Sequence, residues 1–219
     1  MTDVLQDVLR TVWGELWQRI GAKGDPQVVW ENLVARYSED GRYYHTLNHI
    51  AHCLEELERV RHLCRYPNAV EMAIWFHDAV YDTHAEDNEE QSAKLALEVV
   101  KEAGLSEEFG QKVTALILAT KRDRLPQSID EQIITDIDLA ILGLPDEQDV
   151  FGEYERQIRK EYAWVSDTVF ARERAKLLRV FLARGFIFST RYFRRKYEEA
   201  ARENIRRSLS ALDKMCTTG

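Results

Sequence analysis

Ala73-Ile74-Trp75-Phe76-His77-Asp78 sets a histidine and an aspartate at the end of an unbroken apolar run. Continued through Val80 and Tyr81, the stretch has the apolar spacing of a buried helix and the chain just beyond it. A carboxylate and an imidazole among such neighbours are costly unless they are paired or bound to a cation. The same period extends outward in both directions, so the fold follows from this stretch and its surroundings.

Upstream, Leu5, Leu9, Trp13, Trp17 and Ile20 form one helical stripe, with Asp3 and Gln6 as a capping pair. Asp25-Pro26 reads as an N-cap and first helical residue, ahead of Val29, Trp30, Leu33, Val34 and Tyr37. Ser38-Glu39-Asp40-Gly41 is a turn, and a third helix starts near Thr46 and carries Ile50, Cys53, Leu54, Leu57 and Val60. Asn68-x-x-Glu71 resembles a capping box for the helix that holds His77, and Asp87-x-x-Glu90 one for the next, which Gly104 closes. Ser106 caps a helix ending near Thr120, and a polar loop from Lys121 to Ser128 leads to a short helix over Ile133 to Leu142, stopped by Gly143. Longer helices follow at roughly 149–165, 167–184 and 191–213, and residues 185–189 are extended without a partner strand. The expected class is all-α: one helical domain over 1–219, with a motif core at 43–143 and a C-terminal helical extension at 146–213.

Composition agrees. Four Pro and ten Gly in 219 residues are few turn-makers, and 45% hydrophobic with 31% charged is an ordinary globular balance. The first ten residues read as an amphipathic helix without a basic leader or apolar core, so no signal peptide is expected. No apolar run approaches a bilayer's thickness, which excludes a membrane helix. Three cysteines without CxxC spacing point to a reducing cytoplasm. The net charge of −8 disfavours duplex nucleic acid as a partner. From Phe151 onward 16 Lys+Arg stand against 9 Asp+Glu, but the acids interleave with the Arg residues at helical spacing and describe solvated faces. The Trp- and Leu-rich first helix is either core packing or the face of a homodimer.

The chemistry-bearing residues are His45 and His49 in Tyr43-Tyr44-His45-Thr46-Leu47-Asn48-His49, His77 and Asp78, and Asp138 in Asp136-Ile137-Asp138-Leu139. On a helix, Asp138 falls within the apolar arc of Ile134, Ile141 and Leu142, while Asp136 points to roughly the opposite side. Taken singly, each of these residues reads better as structural than as functional. Together, on three apolar faces, they need a common partner, which a divalent cation supplies. His52 and Cys53 lie one turn from His49, but a zinc site built from them lacks a further Cys or His at suitable spacing.

The order His … His-Asp … Asp over successive helices resembles the HD-domain superfamily of metal-dependent phosphohydrolases. Tyr44–His49, Asp87–Ala93, Asp136–Gly143 and Tyr154–Tyr162 are similar to segments of a small bacterial branch of that superfamily. The resemblance implies an HD-domain helical bundle and one divalent ion (Mn, Mg, Co, Ni, Fe or Zn) on His49, His77, Asp78 and Asp138. It implies a small phosphorylated substrate, plausibly a nucleotide, attacked by metal-bound hydroxide as monoester or diester. Cyclic-nucleotide phosphodiesterases share the His45–His49 spacing, which makes His45 the general acid, although Thr46 stands where those enzymes have Asn. Asp78 and Asp82 join His45 as expected catalytic groups. Arg42, Lys121 and Arg159 are the cations expected to hold substrate, with Glu89 and Asp136 as partners orienting a ligand or a water. Families with two metals add histidines after the His-Asp pair; this chain has none after His84, which favours a single ion. A non-catalytic metal- or nucleotide-binding sensor is the alternative.

Overall fold

The computed structural model describes residues 2–122, 124–145 and 149–217. Among them the chain is all-α, with ten α-helices, two 3₁₀ segments and no strand. No helix among these residues is long and apolar enough to cross a membrane. The chain divides into two compact units, 1–137 and 138–219. The boundary falls inside a helix, Ile129–Leu139, rather than in a linker.

The first unit holds α1 (Thr2–Arg19), α2 (Pro26–Tyr37), α3 (Leu47–Val60), a 3₁₀ turn (Arg61–Leu63), α4 (Pro67–Phe76), α5 (Asn88–Glu102), α6 (Glu107–Thr120) and α7 (Ile129–Leu139). Helix α4 is its axis. Every residue from Ala69 to Phe76 is buried, so the helix presents no solvent face and packs against α1, α3, α5 and α6. Around Trp75 gather Trp13 and Trp30, at ring-centroid distances of 5.7 and 6.1 Å, in edge-to-face geometry. Glu71 is buried within α4, held by Arg19 of α1 and Arg61 of the 3₁₀ turn.

Several expected caps form. Asp25 accepts from the Gln27 N–H, Thr46 from Asn48 and Ser106 from Phe109. Gly104 takes φ +66°, a left-handed residue that closes α5 while the Leu105 N–H bonds back to Val100. The capping box Asn68/Glu71 does not form: Asn68 accepts from Arg19, and Glu71 turns inward to its two arginines. Nor does Asp87 cap α5 through its side chain; it accepts from the Gln91 amide instead. The Asp3/Gln6 pair lies outside the described side chains. Helix α7 starts four residues earlier than expected, with Ser128 Oγ accepting from the Glu131 N–H, and it tightens into a 3₁₀ turn (Ala140–Gly143).

The second unit begins with the end of α7 and that 3₁₀ turn, then α8 (Val150–Glu161), α9 (Asp167–Ala183) and α10 (Arg191–Thr217). Helix α10 crosses the 3₁₀ turn at Gly143, where an added Cβ would stand 2.4 Å from Tyr197 Cβ, so only glycine permits the approach. Buried Asn204 donates to the Leu142 and Leu144 carbonyls at 2.9 and 3.1 Å and anchors the same turn. In the extended segment 185–189, a carboxylate replaces the missing strand: Glu198 accepts from the Ile187 and Phe188 N–H groups.

Candidate metal centre

Two helix ends deliver the imidazoles. Thr46 caps α3, and Leu47, Ile50, Leu54 and Leu57 bury its apolar face, which turns His49 inward at 3% exposure. His77 caps α4 in helical geometry, its N–H bonded to Ala73, and is 2% exposed. Its Nδ1 stands 2.8 Å from the Ile74 carbonyl. A carbonyl only accepts, so Nδ1 carries the proton and donates, and Nε2 is left with its lone pair facing away. Asp78 follows where the helix ends.

The three groups converge. His49 Nε2 lies 3.1 Å from His77 Nε2. Asp78 Oδ2 lies 3.1 Å from His77 Nε2 and 3.5 Å from His49 Nε2. Asp138 is carried on the last turn of α7, most of which belongs to the first unit. One of its carboxylate oxygens joins the other three donors within 4.8 Å of one another. With Nε2 of His77 an acceptor, a lone pair and a carboxylate face each other across 3.1 Å, an arrangement that either a second proton on the ring or a bound cation resolves. A divalent ion with ligand bonds of about 2.0–2.2 Å spans donor–donor edges of about 3.0–3.5 Å, the spacing observed among His49, His77 and Asp78, and Asp138 joins them within the wider 4.8 Å limit. The donor set of two imidazoles and two carboxylates therefore fits a borderline or hard metal. Burial works to raise the Asp78 carboxyl, but His77, His45 and His49 outweigh it and hold Asp78 well below the usual carboxylate range. The charged, ligating form is the one favoured.

The other expected residues fall into two groups. His45 belongs with the cluster: its ring lies 5.9 Å from that of His49, packs on Tyr81 at 4.2 Å, and it acts electrostatically on Asp78. Glu89, on the first turn of α5, is also near: burial first, then the Asp78 charge, raises its carboxyl, against Lys121 and Arg122. Asp82 is tied into its own loop. It is 62% exposed and accepts from the His84 N–H and ring nitrogen, while Asn88 closes the loop beneath it.

The expected substrate cations are already engaged. Arg42 is buried and donates to the carbonyls of Asp78 (2.6 Å), Ala79 (3.1 Å) and His45 (3.3 Å), pairs with Glu39, and packs on the Tyr37 and Tyr81 rings. It is a clamp on the ligand-bearing backbone, not an arm toward a ligand. Lys121 donates to the Glu86 carbonyl and pairs with Glu90. Arg159, in the second unit, pairs with Asp167 and holds the Tyr162 and Val165 carbonyls behind α8. Asp136 reverses its expected position: it is fully buried, while Asp138 is only partly so. Residues 133–137 of α7 are buried without a break, so at this turn the helix has no solvent face for Asp136 to occupy.

Two residues near the site were read otherwise or as plain core from the sequence. Cys53 Sγ stands 3.6 Å from His49 Nε2 and forms a second potential ligand group with His49 and His77. The third donor comes from α4, so spacing along α3 could not reveal it. Tyr37 donates its hydroxyl to the Trp75 carbonyl at 3.0 Å, and burial, followed by the Asp78 charge, holds its phenol well above the usual range and so keeps it protonated. Asp123 lies outside the described residues. No family model, no curated protein and no solved structure matches the chain.

Proposed function

We propose that the chain is an HD-type metal-dependent phosphohydrolase acting on a small phosphorylated molecule, plausibly a nucleotide. The observation that supports this reading is the convergence of His49, His77, Asp78 and Asp138 donor atoms within 4.8 Å on helices far apart in sequence. A divalent ion bound there supplies charge to polarise a phosphoryl oxygen and to acidify a water toward neutral pH. The chain's own part is positioning, which is most of what phosphoryl transfer asks of a protein. The Ile74 carbonyl holds His77 in the ligating tautomer, and Arg42 fixes the backbone at Asp78 and Ala79. His45, braced on Tyr81 beside the cluster, protonates the leaving oxygen.

The test is metal analysis of the purified chain, with a turnover screen over phosphorylated metabolites in Mn(II), Mg(II), Co(II) and Ni(II). About one ion per chain and hydrolysis of a phosphoester are expected, and Asp78→Ala loses both. Full metal content and turnover in that variant would refute the assignment. One observation favours the second reading, a non-catalytic sensor: Arg42, Lys121 and Arg159 all spend their charge on protein acceptors. Stoichiometric metal with no turnover on any phosphoester would select it.

A further inference from the structure

Resting on that metal-centre reading, the geometry points to a second, sulfur-sided ligand set, His49–Cys53–His77, that takes soft or borderline ions such as Zn(II) or Cd(II). The two sets share their imidazoles and differ in what faces them. On one side stand Asp78 and Asp138, both partly exposed; on the other stands Cys53, fully buried, one helical turn below His49. A site with carboxylates on one flank and a thiol on the other sorts ions by softness. Hard Mn(II) and Mg(II) prefer the oxygen flank, and thiophilic ions prefer the sulfur.

The distances fit. With metal–nitrogen bonds of about 2.0–2.1 Å and a metal–sulfur bond of about 2.3 Å, a tetrahedral site spans about 3.6 Å from nitrogen to sulfur. His49 Nε2 to Cys53 Sγ is 3.6 Å, and the two imidazole nitrogens are 3.1 Å apart. The sulfur also lies 3.8 Å from His49 Nδ1, so it flanks the ring. Binding replaces the S–H bond with a metal–sulfur bond and releases one proton to solvent. The thiolate and one neighbouring carboxylate then balance a divalent charge in a place where an unpaired ion is costly. Asp78, near both imidazoles, supplies that charge from outside the sulfur-sided ligand set.

The experiment uses the full chain, stripped of metal by chelation, with Cd(II) alone as probe and Mn(II) as the hard comparison. Wild type should take up one equivalent of Cd(II) with a thiolate-to-cadmium charge-transfer band in the ultraviolet. Cys53→Ser should lose the band and weaken Cd(II) by about tenfold or more, while Mn(II) affinity shifts by less than about threefold. The serine variant keeps Cys64 and Cys216 and so controls for both. Cys53→Ala, read by the same band and by circular dichroism, covers the case in which the serine variant fails to fold. Equal Cd(II) spectra and affinities in wild type and either folded variant would overturn the inference, leaving Cys53 as a packing residue against His49. Failure of both Cd(II) and Mn(II) to bind wild type would instead remove the metal centre itself.

Discussion

Replacing Arg42 by methionine keeps most of the side chain's apolar stem and removes its guanidinium. Its side chain is 2% exposed, so solvent cannot take over its hydrogen bonds. Two of those bonds, to Asp78 and Ala79, are short enough to count fully, and the third, to His45 at 3.3 Å, counts as weak. Each buried acceptor left unmade costs about 1–3 kcal/mol. The Glu39 partner is 48% exposed, and its loss adds at most about 1 kcal/mol. The loss is therefore about 2–7 kcal/mol, against a total stability of about 5–15 kcal/mol for a domain. At about 4 kcal/mol, the middle of that range, the first unit melts lower by about 8–16 °C. Because the orphaned carbonyls belong to the segment that carries Asp78 and to His45, the damage is local, and Mn(II) affinity should fall by about 10–100-fold. Arg42→Lys keeps the charge without the planar fork and should lie between the two. Urea unfolding followed by circular dichroism gives the stability change, and calorimetric Mn(II) titration gives the affinity. A methionine variant within about 0.5 kcal/mol of wild type, with unchanged Mn(II) binding, would show that the clamp holds nothing.

Asp82→Ala should leave Mn(II) binding intact and stability within about 0.5 kcal/mol, because the residue is exposed and bonded only within its own loop; a tenfold loss of affinity would return it to the site. Saturation with Mn(II) at 100 times its dissociation constant should stabilise the first unit by about 2.7 kcal/mol, reversed by chelator, and a melting curve indifferent to the ion would contradict a native-state site. Burial first, and Asp130 second, push the Cys64 thiol up to about 12. It and the buried Cys53 should therefore resist iodoacetamide at mildly alkaline pH until denaturant is added, and mass spectrometry of the alkylated peptides reads this directly. Gly143→Ala should destabilise the second unit by about 1–3 kcal/mol through overpacking against Tyr197, with thermal melting as the check.

What was legible in the chain was what neighbours within four residues decide. Thr46, Asp25 and Ser106 cap helices because each needs only an N–H two or three positions on. The all-α class and the grouping of His77, Asp78 and Asp138 followed from period and burial, since several costly polar groups on apolar faces call for one shared ion, whereas His49 joined them through the resemblance to the HD-domain superfamily. The misreadings share a cause of the opposite kind. Glu71 has the spacing of a capping partner, but Arg19 and Arg61, 52 and 10 residues away, draw it inward. Asp136, placed opposite Asp138 and read as either a ligand-orienting partner or merely exposed, is buried because residues 133–137 are buried throughout, which removes the exposed reading.

Charge and direction are separate properties, and Arg42 shows why the second escapes a linear reading. Its position three residues before His45 marks it as a cation near the chemistry, which it is. Whether it reaches outward to a phosphate or inward to a carbonyl depends on what lies at the end of its stem. There α4 has just stopped, leaving the Asp78 and Ala79 carbonyls without helical partners. A helix that ends in order to present two ligands must have its last acceptors satisfied by something else, and a buried fork with several donors suits that task. The electrostatics of the Glu89 neighbourhood also reach the cluster, since Lys121 and Arg122 act on the same carboxyl that feels Asp78.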